Sequence, residues 1–288
     1  MLVDELYLYA AFAAGWLVGR RWKPHGRWLP AVTLASVLVL IGFLGASFRD
    51  TTASELATAL PEAVLLVLAV LGATTAVVAV LRRAEPVRGP RVAATIRPDR
   101  LPTSLLLLGA LFLGYGVGRL VVLPTGDLIS GALAVLLALV GYGIELAWAS
   151  VRRAWVPIVS AVAGAGLGAL AVSVVARLPP SETFSSSLAF GWYSLAGPLV
   201  GARLGASVGL LAFLANFLRE ALTMVLSPYV GRRMGGEGLA ALGGATALDT
   251  TLYFVVRYGD PDAGPLALAS GLTLTIAASL LVPLVLAL

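Results

Sequence analysis

Apolar runs separated by short polar segments dominate the chain, with runs near residues 5–20, 29–48, 60–81, 101–123, 128–150, 154–178, 205–230 and 264–287. A helix rises 1.5 Å per residue, so about 20 apolar residues cross the roughly 30 Å hydrocarbon core of a bilayer. Two shorter apolar stretches, 184–203 and 238–257, are interrupted by Gly, Pro and hydroxyl residues. The pattern predicts an all-α polytopic membrane protein, a single transmembrane domain over 1–288. About eight transmembrane helices are expected, with two re-entrant or broken segments; ten full spans is the rival arrangement.

Composition agrees. The chain is 59% hydrophobic and 12% charged, whereas soluble domains carry about 25% charged residues. A water-soluble fold of this content would expose large apolar patches. There is no Cys, which excludes disulfide, thiolate and Cys-ligated metal chemistry.

The charges set an orientation. Asp4 and Glu5 precede the first run, and Arg20, Arg21, Lys23 and Arg27 follow it. A cleavable signal peptide has the opposite polarity, so a first helix starting outside is expected. Further basic residues gather in 82–100, at Arg152 and Arg153, and at Arg232 and Arg233. Placing these loops in the cytoplasm puts both termini outside the cytoplasmic membrane. It also makes 184–203 enter and leave on the outer side, and 238–257 on the inner side. The net charge of +5 is then accounted for by loops, not by a nucleic-acid partner.

The string Gly15-Trp16-Leu17-Val18-Gly19-Arg20 recurs as Gly114-Tyr115-Gly116-Val117-Gly118-Arg119, and Gly42-Phe43-Leu44-Gly45 resembles Val140-Gly141-Tyr142-Gly143. Both offsets are close to a hundred residues. This predicts a repeat of three helices, 1–81 and 101–178, followed by a region 184–288 that carries the transport site. An odd number of spans inverts the second copy, an arrangement used by many transporters.

Candidate chemistry concentrates in the 205–230 run, which carries Asn216, Arg219 and Glu220. Charged side chains at the bilayer centre are costly and persist where they face a bundle interior or a wet cavity. Asn216, Glu220, Thr223 and Ser227 follow at steps of four, three and four, which places them on one helix face. Arg219 lies about 100° away from Glu220 around the helix, so the two need not pair. Broken segments flank this helix: Phe190-Gly-Trp-Tyr193-Ser194-Leu-Ala-Gly-Pro198, and Gly243-Gly-Ala-Thr246-Ala-Leu-Asp249-Thr250-Thr251. Irregular backbone at membrane depth is tolerated only where it is buried in protein or lines a cavity. Glu220 and Asp249 are thus expected at one cavity, where carboxylates attract cations and exchange protons. Glu62 is read as interfacial, Glu145 as a partner of loop Arg, and Asp50 and Glu55 as outer-loop charges.

Enzyme readings find little support. The lone His25 sits in a basic loop, no phosphate-binding Gly loop with Lys is present, and no His pair suits zinc. No cofactor is expected beyond a coupling ion, H+ or Na+.

The three strings at Phe190–Leu195, Asn216–Glu220 and Gly243–Thr251 resemble the LysO-type lysine exporter family in content, order and spacing, most closely over residues 185–288. The resemblance implies export of L-lysine and its analogues, with the acids matching Glu220 and Asp249 implicated in transport and both termini outside. Some relatives carry Asp where Asn216 stands. On that reading Glu220 or Asp249 takes the ε-ammonium of lysine, and groups near Tyr193, Ser194 and Thr246, with Thr250 and Thr251 beside them, take the remainder. An exporter of another basic amino acid, a cation/proton antiporter, and a structural membrane protein with buried ion pairs are the alternatives.

Overall fold

The computed structural model describes residues 6–22, 28–47, 49, 52–84, 103–143, 151–260 and 263–288. Among these the regular elements are helices: α1 (Leu6–Trp22), α2 (Leu29–Ser47), α3 (Ala53–Ala84), α4 (Thr103–Leu120), α5 (Thr125–Gly143), α6 (Trp155–Ala176), α7 (Pro180–Ser187), α8 (Tyr193–Leu204), α9 (Ala206–Gly243), α10 (Leu252–Tyr258) and α11 (Ala263–Ala287). Among the described residues, four stretches are long and apolar enough to cross a membrane by length and composition: Ala57–Arg83, Trp155–Ala176, Ala206–Leu248 and Ala263–Ala287. The other expected spans, α1, α2, α4 and α5, are helices of 17, 19, 18 and 19 residues. The chain is an all-α membrane protein.

Helix α3 starts well before the expected 60. Hydropathy marks the apolar stretch, whereas the backbone stays helical through Ser54, Glu55 and Thr58 and carries Pro61 in its interior. Glu55 therefore sits on a helix, not in a loop. Asp50 and Glu145 lie outside the described residues.

Two compact units form, each discontinuous in sequence: Met1–Thr51 with Ile96–Leu146, and Thr52–Thr95 with Ala147–Leu288. In the first, α1 packs on α5 and α4 packs on α2, while α2 and α5 also meet. The recurring glycines make both pairings. A methyl group at Gly15 or Gly19 would overlap the backbone of Ala138 or Tyr142, and one at Gly114 or Gly118 would overlap that of Gly42 or Ala46. Small residues let helix backbones touch in a lipid setting, where dispersion replaces the hydrophobic effect as the driving force. The two copies of the string thus do the same work.

In the second unit α6 closes on α3 in the same way, Gly164 against Thr74 and Gly168 against Val70. Helix α6 ends at Arg177, in the left-handed region, and Pro180 opens α7 at a position that needs no amide donor. Helix α9 is the centre of this unit, packing on α3, α6, α7, α8, α10 and α11. It runs through Pro228 and breaks at Gly235, whose φ of 60° and ψ of −160° are non-helical. Proline at 228 cannot bond the carbonyl of Met224. The Ser227 hydroxyl donates to that oxygen at 2.7 Å instead.

The two interrupted stretches are each helix, break, helix. The first runs from α7 through 188–192 into α8, with Phe190 and Gly191 both at positive φ. The second starts after Gly235, continues as helix to Gly243, tightens into a 3-10 turn over Gly244–Leu248, and resumes as α10. Phe190 is fully buried in a core that includes Ala161, Ala165, Leu195, Ala196, Ala212, Leu274 and Ala278.

Candidate functional site

Helix α9 presents Asn216, Arg219 and Glu220 to the interior of the second unit, each only 2% exposed. Thr223 and Ser227 are buried below them, so the polar stripe faces inward as its spacing requires. The three upper residues have different roles.

Asn216 holds the first break. Its Oδ1 accepts the N–H of Gly191 at 2.7 Å, and its Nδ2 donates to the carbonyls of Ser186 at 2.6 Å and Ala212 at 2.8 Å. An aspartate here would offer acceptors and no donor. The amide therefore suits this backbone.

Arg219 holds the second break, one turn further along. Its Nε donates to the Leu242 carbonyl at 2.9 Å and its Nη2 to that of Ala241 at 3.1 Å. The last four carbonyls of a helix lack partners within it. Here all four are met: Ala240 by the N–H of Gly244, Ala241 and Leu242 by Arg219, and Gly243 by the Thr246 hydroxyl at 3.0 Å. Arg219 is thus partnered by a helix C-terminus, whose partial negative charge suits a guanidinium.

The breaks also touch directly. Ala245 donates its N–H to the Phe190 carbonyl at 2.9 Å. Gly244, at φ 66°, lies against the same carbonyl, and a methyl group there would overlap it.

Glu220 is not held in this way. Neither of its buried oxygens has a hydrogen bond of ordinary geometry, and the Thr250 hydroxyl is the side-chain donor that reaches toward the carboxylate. Asp249 lies within electrostatic range, with Thr250 close by, and Tyr193 is within range of both acids. Tyr193 itself meets Phe213 and Phe217 edge to face, with ring centroids 5.3 and 6.0 Å away. Asp249, half-buried, accepts from the N–H of Thr250 and from its hydroxyl at 3.1 Å. The structure therefore brings Glu220, Asp249, Thr250 and Tyr193 together. Thr246 and Thr251 bond each other at 3.3 Å inside the turn. Ser194 lies in the first turn of α8; its side chain is outside what the structure describes.

One residue escaped the sequence reading. Glu237, 3% exposed, follows the Gly235 break and accepts from Arg153 Nε at 2.7 Å, with Arg82 Nε at 3.6 Å. Two basic segments read only as cytoplasmic loops thus converge on one buried acid. Beside it, Asp260 Oδ2 accepts the N–H of Gly236 at 3.2 Å, capping the helix that starts there. Burial, with the Glu62 carboxylate nearby, raises the pKa of Glu182 on α7.

A model of the family described as lysine exporter LysO matches residues 108–286. Over 301 aligned residues the chain is 29% identical to lysine exporter LysO of Escherichia coli (strain K12), covering all of this chain and 99% of that protein. A Haemophilus influenzae protein named "putative lysine exporter" is 28% identical over 106 residues, 37% of this chain and 54% of its own length. No solved structure matches.

Proposed function

The chain belongs to the lysine exporter LysO family, and from that membership we propose that it exports L-lysine across the cytoplasmic membrane by exchange for H+ or Na+. It is a transporter and not an enzyme. The reading takes eight full spans, with the two interrupted segments re-entering from opposite sides and both termini outside. The exchange of partners within the first unit, α1 on α5 and α4 on α2, supports descent of these helices from an inverted repeat.

The observation that carries the site assignment is Glu220: a carboxylate buried in the middle of a long apolar helix, with neither oxygen in a well-formed hydrogen bond and only the Thr250 hydroxyl reaching toward it among the described side chains. A group that only held the fold together would be satisfied, as Asn216 is. An unsatisfied buried carboxylate is costly, and that cost is offset when it meets an ammonium group or a proton. Glu220 and Asp249 compete for these two cations. Lysine enters from the cytoplasm, one acid takes its ε-ammonium, and a proton or Na+ arriving from outside displaces it.

Inside-out vesicles containing the protein test this. An imposed proton gradient, or in parallel a Na+ gradient, is expected to drive uptake of labelled lysine, with arginine and ornithine competing more weakly. Vesicles that move no lysine under either gradient would sink the reading.

A further inference from the structure

A small recess opens in the second unit between α3, α7 and α9, lined by Leu66, Val67, Val70, Ser186, Asn216 and Arg219. It is distinct from the Glu220 carboxylate, which does not line it. The space is about 10 Å3, room for about one water-sized group. Two polar atoms of its lining residues are buried without a partner: Arg219 Nη1 and Ser186 Oγ. The guanidinium is a planar fork. Its Nε and Nη2 edge is taken by the Leu242 and Ala241 carbonyls, so Nη1 points away from them. Asn216 has both ends of its amide occupied and adds no charge. The wall from α3 is wholly apolar. The residues that line the recess thus include a guanidinium and a hydroxyl with unpaired donor atoms, and no carboxylate is bonded to either.

We propose that this recess is an anion site that takes one oxygen of the α-carboxylate of the transported amino acid, with Arg219 Nη1 and Ser186 Oγ as donors. The proposal rests on the lysine-export reading and divides the substrate between two groups of side chains: acids for the ammonium end, Arg219 and Ser186 for the carboxylate end. Arg219 is fixed by its helix-capping bonds, so the donor is positioned before substrate arrives. One neutral carbonyl edge and one free N–H edge also explain why arginine is needed here and lysine would not serve. A free halide offers the same acceptor chemistry, and the test separates the two.

The full-length protein, purified in detergent and chloride-free gluconate buffer, is titrated with L-lysine and with L-lysinamide, which keeps both ammonium groups and lacks the carboxylate. Wild type is expected to bind lysine at least about tenfold more tightly, the effect of one or two hydrogen bonds to a charged group. Ser186→Ala removes a hydroxyl that holds nothing else, and Val67→Leu fills the recess from the apolar side. Each is expected to cost lysine about tenfold in affinity while leaving lysinamide unchanged. Equal binding of the two ligands by wild type, or variants that weaken both alike or neither, overturns the proposal and leaves the export reading standing. Wild type that binds neither ligand defeats the export reading itself. Thermal stability that rises with added chloride in wild type but not in Ser186→Ala, with lysine affinity the same in both, assigns the recess to a halide and overturns the carboxylate assignment.

Discussion

Ala245 donates its backbone N–H to the carbonyl oxygen of Phe190, so the two interrupted segments are tied to each other as well as to α9. Gly244 makes the tie possible, because its φ of 66° and its missing side chain let the turn approach that carbonyl. Gly244→Ala is expected to destabilise the protein by more than about 2 kcal/mol. Left-handed backbone alone costs an alanine roughly 1–2 kcal/mol, and the methyl overlap adds to it. Thermal unfolding in detergent measures this. An unchanged midpoint would mean that the tie does not hold the segments together.

Asn216 and its hydrogen bonds predict a graded response. Asn216→Leu leaves the Gly191 N–H and the Ser186 carbonyl without partners, at about 1–3 kcal/mol for each buried group. Asn216→Asp keeps the acceptor for Gly191 and loses the donors, so it too is destabilised. Its deficit narrows at lower pH, where the carboxyl carries a proton to donate. Chemical denaturation at two pH values checks the sign: an Asn216→Asp variant as stable as wild type at both would contradict the donor role.

Neighbours in sequence, Arg219 and Glu220 are expected to fail differently. Arg219→Gln removes the cap from the Ala241 and Leu242 carbonyls and should lower stability by about 2–4 kcal/mol, two unsatisfied acceptors at the lower end of their range. Glu220→Gln removes a buried carboxylate that has no well-formed hydrogen bond. Its unfolding midpoint should hold or rise while lysine counterflow in proteoliposomes is lost. Full counterflow by Glu220→Gln would remove this residue from the transport site.

How much of this was legible in the sequence depends on the kind of interaction. The apolar runs gave the helices, and the steps between Asn216, Glu220, Thr223 and Ser227 gave the buried face, because both follow from helical periodicity. The partners of Arg219 were hidden. They are main-chain carbonyls 22 and 23 residues away, and every residue has a carbonyl, so no side-chain pattern marks them. Glu237 was passed over for a related reason. Its partners stand far away in the chain, Arg82 in the last turn of α3 and Arg153 in the turn before α6, and local composition gave only two basic loops. The early start of α3 was missed because Glu55 and Thr58 interrupt hydropathy without interrupting the helix.

Ser227 and Pro228 allow a cleaner measurement. Ser227→Ala alone leaves the Met224 carbonyl unmet and should cost about 1–2 kcal/mol. In a Pro228→Ala background an amide N–H returns to that carbonyl, so the same serine change should cost close to nothing. The coupling in this double-mutant cycle is the prediction. Additive effects would show that the hydroxyl does not replace the missing amide.

The four carbonyls that end the helix before Gly244 all find their donors within the protein. Irregular backbone deep in a bilayer would otherwise recruit water, and a file of waters is a path along which protons leak. A carrier that works by exchange dissipates its own gradient through any such leak. On the proposed exchange mechanism, Arg219 and Thr246 would do more than support a turn: by taking the places where water would bind, they would insulate the idle molecule.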